Sequence, residues 1–154
     1  MTRKYTLGII GGTFDRLHVG HTSLLNAAFE QSEKVIVGVA SIKLYGHKSL
    51  STIIEDFQTR KDAVVKYLTD QKLIDRAIII SIDDIYGNSL TEKDIEAIFV
   101  TEDNLTNVTK INEERSKRGF TLLDVITIPY AYGNDGEIIT SARIRKGEID
   151  REGF

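Results

Sequence analysis

The chain has 154 residues, 41% of them hydrophobic and 28% charged, with a formal net charge of −3. That balance fits one compact domain over 1–154 and argues against the broad basic surface that nucleic-acid binding demands. The absence of cysteine excludes thiol nucleophiles, iron–sulfur clusters and cysteine-bound zinc. No apolar run approaches the roughly 18–20 residues of a membrane span, and the apolar stretch in MTRKYTLGII is too short for a signal peptide. A cytoplasmic protein with no membrane partner is therefore expected.

Tyr5–Ile10 reads as a short buried strand ending at Gly11 and Gly12. After HVGH, Leu24, Leu25, Ala28 and Phe29 recur at helical spacing. Lys34–Ala40 is a continuous β-branched run, predicted as a strand buried on both faces. A polar stretch with Lys43, His47 and Lys48 follows, and Asp56 then caps a predicted helix that turns Phe57, Ala63, Val64, Tyr67 and Leu68 inward. Arg76–Ile82 is predicted as a third buried strand and Ala97–Val100 as a fourth. A helix over Thr106–Arg118 is stopped by Gly119, and Asp124–Ala131 is read as the fifth strand. GNDG makes a turn, and SARIRKG is a last helical piece with Gly147 as its cap. Five alternations of strand and helix predict an α/β fold, a Rossmann-like open parallel five-stranded sheet with helices on both faces. Such folds bind ligands beyond the carboxyl ends of the strands, where strand order reverses.

The run IIGGTFDRLHVGH sits at one such end. Glycines between strand and helix let backbone N–H groups approach an anion, and a helix start points its positive end the same way. The pattern is neither that of the P-loop nor G-x-G-x-x-G. His18 and His21 stand about one helical turn apart, so both rings can face one ligand. Three readings compete: zinc, with Asp15 and His47 as the nearest further ligands; helix-start residues satisfied by backbone carbonyls; or donors to a phosphate. The neighbouring glycines and Thr13 favour phosphate. ITSARIRKGE, with Thr140, Ser141, Arg143, Arg145 and Lys146, offers hydroxyls at a helix start followed by arginines, a second pattern suited to phosphates or simply to a solvated basic face.

GGTFDRLHVGH resembles the G-T-F-D-x-x-H-x-G-H signature of the nucleotidylyltransferase superfamily, and ITSARIR resembles its I-S-S-T-x-I-R motif. IDDIYGNS, FVTEDN, KINEERSKRG and RKGEIDREG extend the resemblance to phosphopantetheine adenylyltransferases of the archaeal and eukaryotic type, over roughly Leu7 to Gly153. The resemblance implies a reaction of ATP with 4′-phosphopantetheine that gives 3′-dephospho-coenzyme A and pyrophosphate, with Mg²⁺ shared by the phosphates. The acceptor is already an oxyanion, so positioning and charge stabilisation suffice and no activated side-chain nucleophile is required.

By position, the resemblance implies that Thr13 meets the attacking phosphate. It places His18 and His21 on the ATP phosphates, His21 at the α-phosphate. Gly12, Phe14 and Gly20 shape the nucleotide site. Lys43, with Lys48 as rival, bridges the reacting phosphates, and Thr140, Ser141, Arg145 and Arg143 grip the β- and γ-phosphates. Thr101 and Glu102 lie where the family approaches the nucleoside. Thr140 keeps the hydroxyl of the motif's first serine, whereas Ala142 replaces its threonine. FAD synthetases, nicotinamide-mononucleotide adenylyltransferases and glycerol-3-phosphate cytidylyltransferases share the two main motifs. A regulatory ATP-binding module without turnover is the alternative of a different class. Monomer and small homo-oligomer both fit the sequence.

Overall fold

The computed structural model describes residues 3–45, 54–140 and 143–144. His47, Lys48, Ser141, Ala142, Arg145, Lys146 and Gly147 lie outside the described residues. Five strands, β1 (Tyr5–Gly12), β2 (Ser32–Ala40), β3 (Ala77–Ile82), β4 (Ala97–Val100) and β5 (Asp124–Thr127), form one sheet in the order β3-β2-β1-β4-β5. Every pairing is parallel. The chain winds outward from β1 in one direction, then crosses over and winds out in the other, so the reversal falls between β1 and β4. This is the Rossmann-like sheet that the strand–helix alternation predicts.

The period of two along each strand sorts the core into two layers. On one face Ile10, Val35, Val37, Val39 and Phe99 pack against α1 (Val19–Gln31) and α3 (Phe57–Asp70) through Leu25, Ala28, Phe29, Val64 and Leu68. On the other, Ile9, Ile36, Ile98 and Val100 pack against Val108 and Ile111 of α4 (Leu105–Lys117). Each such side chain contributes roughly 1.5–3 kcal/mol when fully buried. A short helix, α2 (Ile42–Tyr45), follows β2.

Three expectations are corrected. The glycine pair belongs to β1 itself, with Gly11 opposite Gly38 and Gly12 opposite Val39, because the β1–β2 ladder runs two residues past Ile10. The third strand is an edge, not a buried strand: Ile78 is 44% exposed, since among the described residues only β2 lies beside β3. An apolar run looks the same at an edge as in the centre of a sheet. Finally, β5 ends at Thr127 rather than Ala131. Ile128 still donates to the Val100 carbonyl, but Pro129 has no N–H with which to continue.

Two buried arginines hold loops that lack regular structure. Arg115 on α4 donates to the carbonyls of Ser89, Glu92, Lys93, Ile95 and Thr121 at 2.7–3.2 Å, drawing the segment before β4 onto the helix. Its burial lowers the guanidinium pKa from the usual value. Arg60 on α3 does the same for the loops of the site described next.

Candidate active site

Past Gly12 the chain turns sharply. Phe14 and Arg16 both lie in the left-handed region, with φ of 55° and 48°. For residues with a Cβ this costs about 1–2 kcal/mol each and persists only where the surroundings over-determine it. They do here. Phe14 is buried in the core beneath the turn, with its ring 5.3 Å from that of His21. The buried Asp15 carboxylate accepts both from the Arg16 guanidinium, at 2.9 and 3.0 Å, and from the Glu55 N–H at 2.9 Å. Glu55 returns the bond, its carboxylate accepting from the Arg16 N–H at 2.5 Å. Asp15 is therefore a staple between 13–16 and the segment before α3. Among the described residues no group of three His, Cys, Asp or Glu is placed to hold a metal ion.

The two histidines build the start of α1. His18 is the N-cap, and its Nδ1 accepts from the Gly20 N–H at 3.1 Å. His21, three residues on, accepts from the His18 N–H through its own Nδ1, also at 3.1 Å. This is a capping box made of two imidazoles where the usual pair is a hydroxyl and a glutamate. The rings stack with centroids 3.7 Å apart and 22° between planes. An Nδ1 that accepts carries no proton, so the neutral ring bears its N–H at Nε2 and is a donor there. No acidic residue lies in the first turn of α1, which leaves the positive end of the helix without a carboxylate of its own.

Gly20 is required by this cap. A methyl group on its Cα would lie 2.9 Å from His18 Cε1 and 3.0 Å from Nδ1, and 3.9 Å from the Ile139 carbonyl. The last distance places the start of the ITSARIR segment beside the HVGH helix start, bringing together two motifs more than a hundred residues apart. There the Thr140 hydroxyl accepts from the Arg143 N–H at 3.1 Å. The Arg143 guanidinium turns back to the Ile138 carbonyl at 2.7 Å and to the Asp135 carboxylate.

The remaining candidates lie at neighbouring strand ends. Lys43 on α2 is largely exposed and 3.9 Å from the Asp83 carboxylate, which also accepts from the Ser41 hydroxyl at 2.5 Å. Thr101 follows β4, and its hydroxyl donates to Asp103 at 2.5 Å. The Tyr130 hydroxyl both accepts from the Asp103 N–H at 2.9 Å and donates to the Asp103 carboxylate at 3.0 Å, fixing the turn over Glu102–Asn104. Burial, then that carboxylate, raises the Tyr130 pKa from its ordinary value, keeping the hydroxyl a donor.

A cleft of about 450 Å³ opens along the carboxyl ends of β1, β2 and β4. Its walls mix apolar side chains, Ile9, Ile98, Val108 and Ile111, with polar ones, Tyr86, Ser89, Asp103, Asn104 and Asn107. Thr13 lines it and stands at its border with the histidine turn. The size is that of a small-molecule site, and it lies at the reversal of strand order.

Comparison with known proteins places the chain in a family. The cytidylyltransferase-like family model matches residues 9–147. A phosphopantetheine adenylyltransferase of Methanothermobacter thermautotrophicus is 40% identical, covering 99% of this chain and 91% of its own. One from Methanopyrus kandleri is 37% identical over 92% and 89% of the two chains. The chain belongs to the phosphopantetheine adenylyltransferase family. In fold it is also similar to a bifunctional NMN adenylyltransferase/ADP ribose pyrophosphatase of Francisella tularensis, with a TM-score of 0.64 at 17% identity over 93% of this chain and 42% of that one. Glu55, Arg60 and Tyr130 also shape the site, and no motif singled them out. Asp103 lies within the FVTEDN match and Asp15 within the first motif, but neither carried a signal of the structural role seen here.

Proposed function

We propose that the chain transfers the adenylyl group of ATP to 4′-phosphopantetheine, giving 3′-dephospho-coenzyme A and pyrophosphate. The observation that carries this reading is the meeting of the two phosphate motifs at Gly20 and Ile139, next to a ligand-sized cleft reached through Thr13. The relatives' shared name points to the acceptor.

In this reading the nucleotide's phosphates lie across the start of α1, and the acceptor's arm fills the cleft. Its apolar walls suit a hydrocarbon backbone, and Ser89, Asn104 and Asn107 suit amides along it. A phosphate oxygen of the acceptor attacks the α-phosphorus in line. A new P–O bond forms there as the bond to the bridging oxygen of the leaving pyrophosphate breaks. Thr13 orients the attacking phosphate. His18 and His21 act as neutral Nε2–H donors, His21 to the α-phosphate as charge builds on its oxygens. Lys43 moves from Asp83 to bridge the two reacting phosphates. Thr140, Ser141 and Arg145 hold the β- and γ-phosphates, with Arg143 contributing through the Thr140 turn. Thr101 and Glu102 border the nucleoside. Mg²⁺ would accompany ATP as its co-substrate and would offset the charge of the reacting phosphates. The cytoplasm, where ATP and Mg²⁺ are plentiful, is the proposed location.

Pyrophosphate release tests this reading. ATP and CTP are each supplied with phosphopantetheine, FMN, nicotinamide mononucleotide or glycerol 3-phosphate. Turnover confined to ATP with phosphopantetheine is expected. Turnover with a different acceptor would reassign the substrate, and ATP binding without turnover for any pair would make the protein a regulatory module.

A further inference from the structure

We infer that Arg60 is a positioning residue, one buried guanidinium that fixes Thr13 and the turn bearing Lys43 against each other; the inference rests on the adenylyl-transfer reading above. Arg60 is fully buried on α3. Its Nη1 donates to the Thr13 carbonyl at 2.8 Å and to the Ala40 carbonyl at 2.6 Å. Its Nε donates to the Glu55 carbonyl at 2.8 Å. The Phe57 ring lies 5.7 Å from the guanidinium carbon and limits its tilt.

These carbonyls are not interchangeable. The β1–β2 ladder stops at the Gly12–Val39 pair. Beyond it the two chains part, Thr13 toward α1. Ala40 and Ser41 stay on β3 through the Ala40–Ile82 pair and the Ser41 N–H on the Ile82 carbonyl, so no β1–β2 pairing ties Thr13 to them. One nitrogen bonded to both does. The same arginine holds Glu55, whose carboxylate and N–H secure the left-handed Arg16 and the buried Asp15. The hydroxyl proposed to orient the acceptor and the helix carrying the bridging lysine are thus referred to a single rigid group. A lysine here is no substitute, because an ammonium lacks the planar fork that serves Nη1 and Nε contacts together.

The prediction is a loss of rate with little loss of nucleotide binding. Arg60→Lys and Arg60→Met are made in the full chain, each alone and on Thr13→Val, and kcat and KM are measured for both substrates. Amide hydrogen exchange is followed over 9–17, 40–45 and 22–31. For Arg60→Lys, kcat falls about 10²-fold while KM for ATP stays within about threefold, as for a displacement of roughly 1 Å at the reacting groups. On Thr13→Val the same substitution costs markedly less, since the hydroxyl it positions is gone. Exchange quickens in 9–17 and 40–45 together and is unchanged in 22–31. A kcat within about threefold of wild type, full additivity with Thr13→Val, or exchange that quickens in one loop alone would each overturn the inference. If Arg60→Met fails to fold, Arg60→Lys decides. A wild-type protein that releases no pyrophosphate refutes the reaction instead, and the exchange pattern then settles the coupling of the two loops by itself.

Discussion

Gly20→Ala separates stability from activity at the helix start. The added methyl would sit 2.9 Å from His18 Cε1 and 3.0 Å from Nδ1, closer than carbon atoms pack. Of the two sides, the imidazole yields, being the end of a rotatable side chain. Its movement breaks the 3.1 Å bond from the Gly20 N–H and the 3.7 Å stack on His21. Loss of an N-cap costs about 1 kcal/mol, and replacing a helical glycine by alanine returns up to about 1 kcal/mol. The two nearly cancel, so Tm should stay within about 4 °C of wild type. Turnover has no such compensation. A phosphate donor displaced by about 1 Å loses about 10²-fold in rate. Thermal unfolding and steady-state pyrophosphate release on one preparation test both halves. Wild-type turnover in Gly20→Ala would show that the His18 ring is not needed where the cap puts it. A Tm drop beyond about 10 °C would show that the backbone yields instead of the ring.

Further outcomes follow from other sites. His21→Ala should lower kcat by about 10²–10³, whereas His21→Gln, which keeps a capping acceptor at that position, should lose the rate but little of the Tm. Arg115→Met leaves five backbone carbonyls without their donor and should cost about 3 kcal/mol or more, read as a lower urea midpoint and faster exchange over 89–95. Tyr130→Phe should cost about 1 kcal/mol near neutrality, measured by urea unfolding. Because the folded Tyr130 pKa is raised, its contribution is fully present below the unfolded tyrosine value of about 10 and is lost as pH rises through the folded value. The gap between wild type and Tyr130→Phe should therefore narrow in alkaline urea titrations. A gap that widens would refute the assignment.

The sheet was legible because each buried strand is a compact β-branched run and each helix a repeat at 3.6 residues. Its order was not. Arg76–Ile82 reads as central as Lys34–Ala40, but among the described residues no strand lies beyond β3, and Ile78 is exposed. The histidine pair was legible as unusual, and the sequence set a structural role against a phosphate-facing one. The fold shows these to be compatible, because an imidazole has two nitrogens: Nδ1 caps the helix while Nε2 carries the proton. The structural role itself takes a different form from the one expected, since each ring's Nδ1 accepts from a backbone N–H group. Arg60 and Arg115 were illegible. Each sits in a polar helical stretch where an arginine ordinarily faces water, and only irregular loops docking on those helices turn it inward.

The nearness of Gly20 and Ile139 also imposes an order in time. During synthesis all five strands are available once Thr127 has left the ribosome, and the apolar layers above and below the sheet can close at that stage. The segment that reaches Gly20 emerges only afterwards. The two distant motifs can thus meet only after every strand of the sheet has been made.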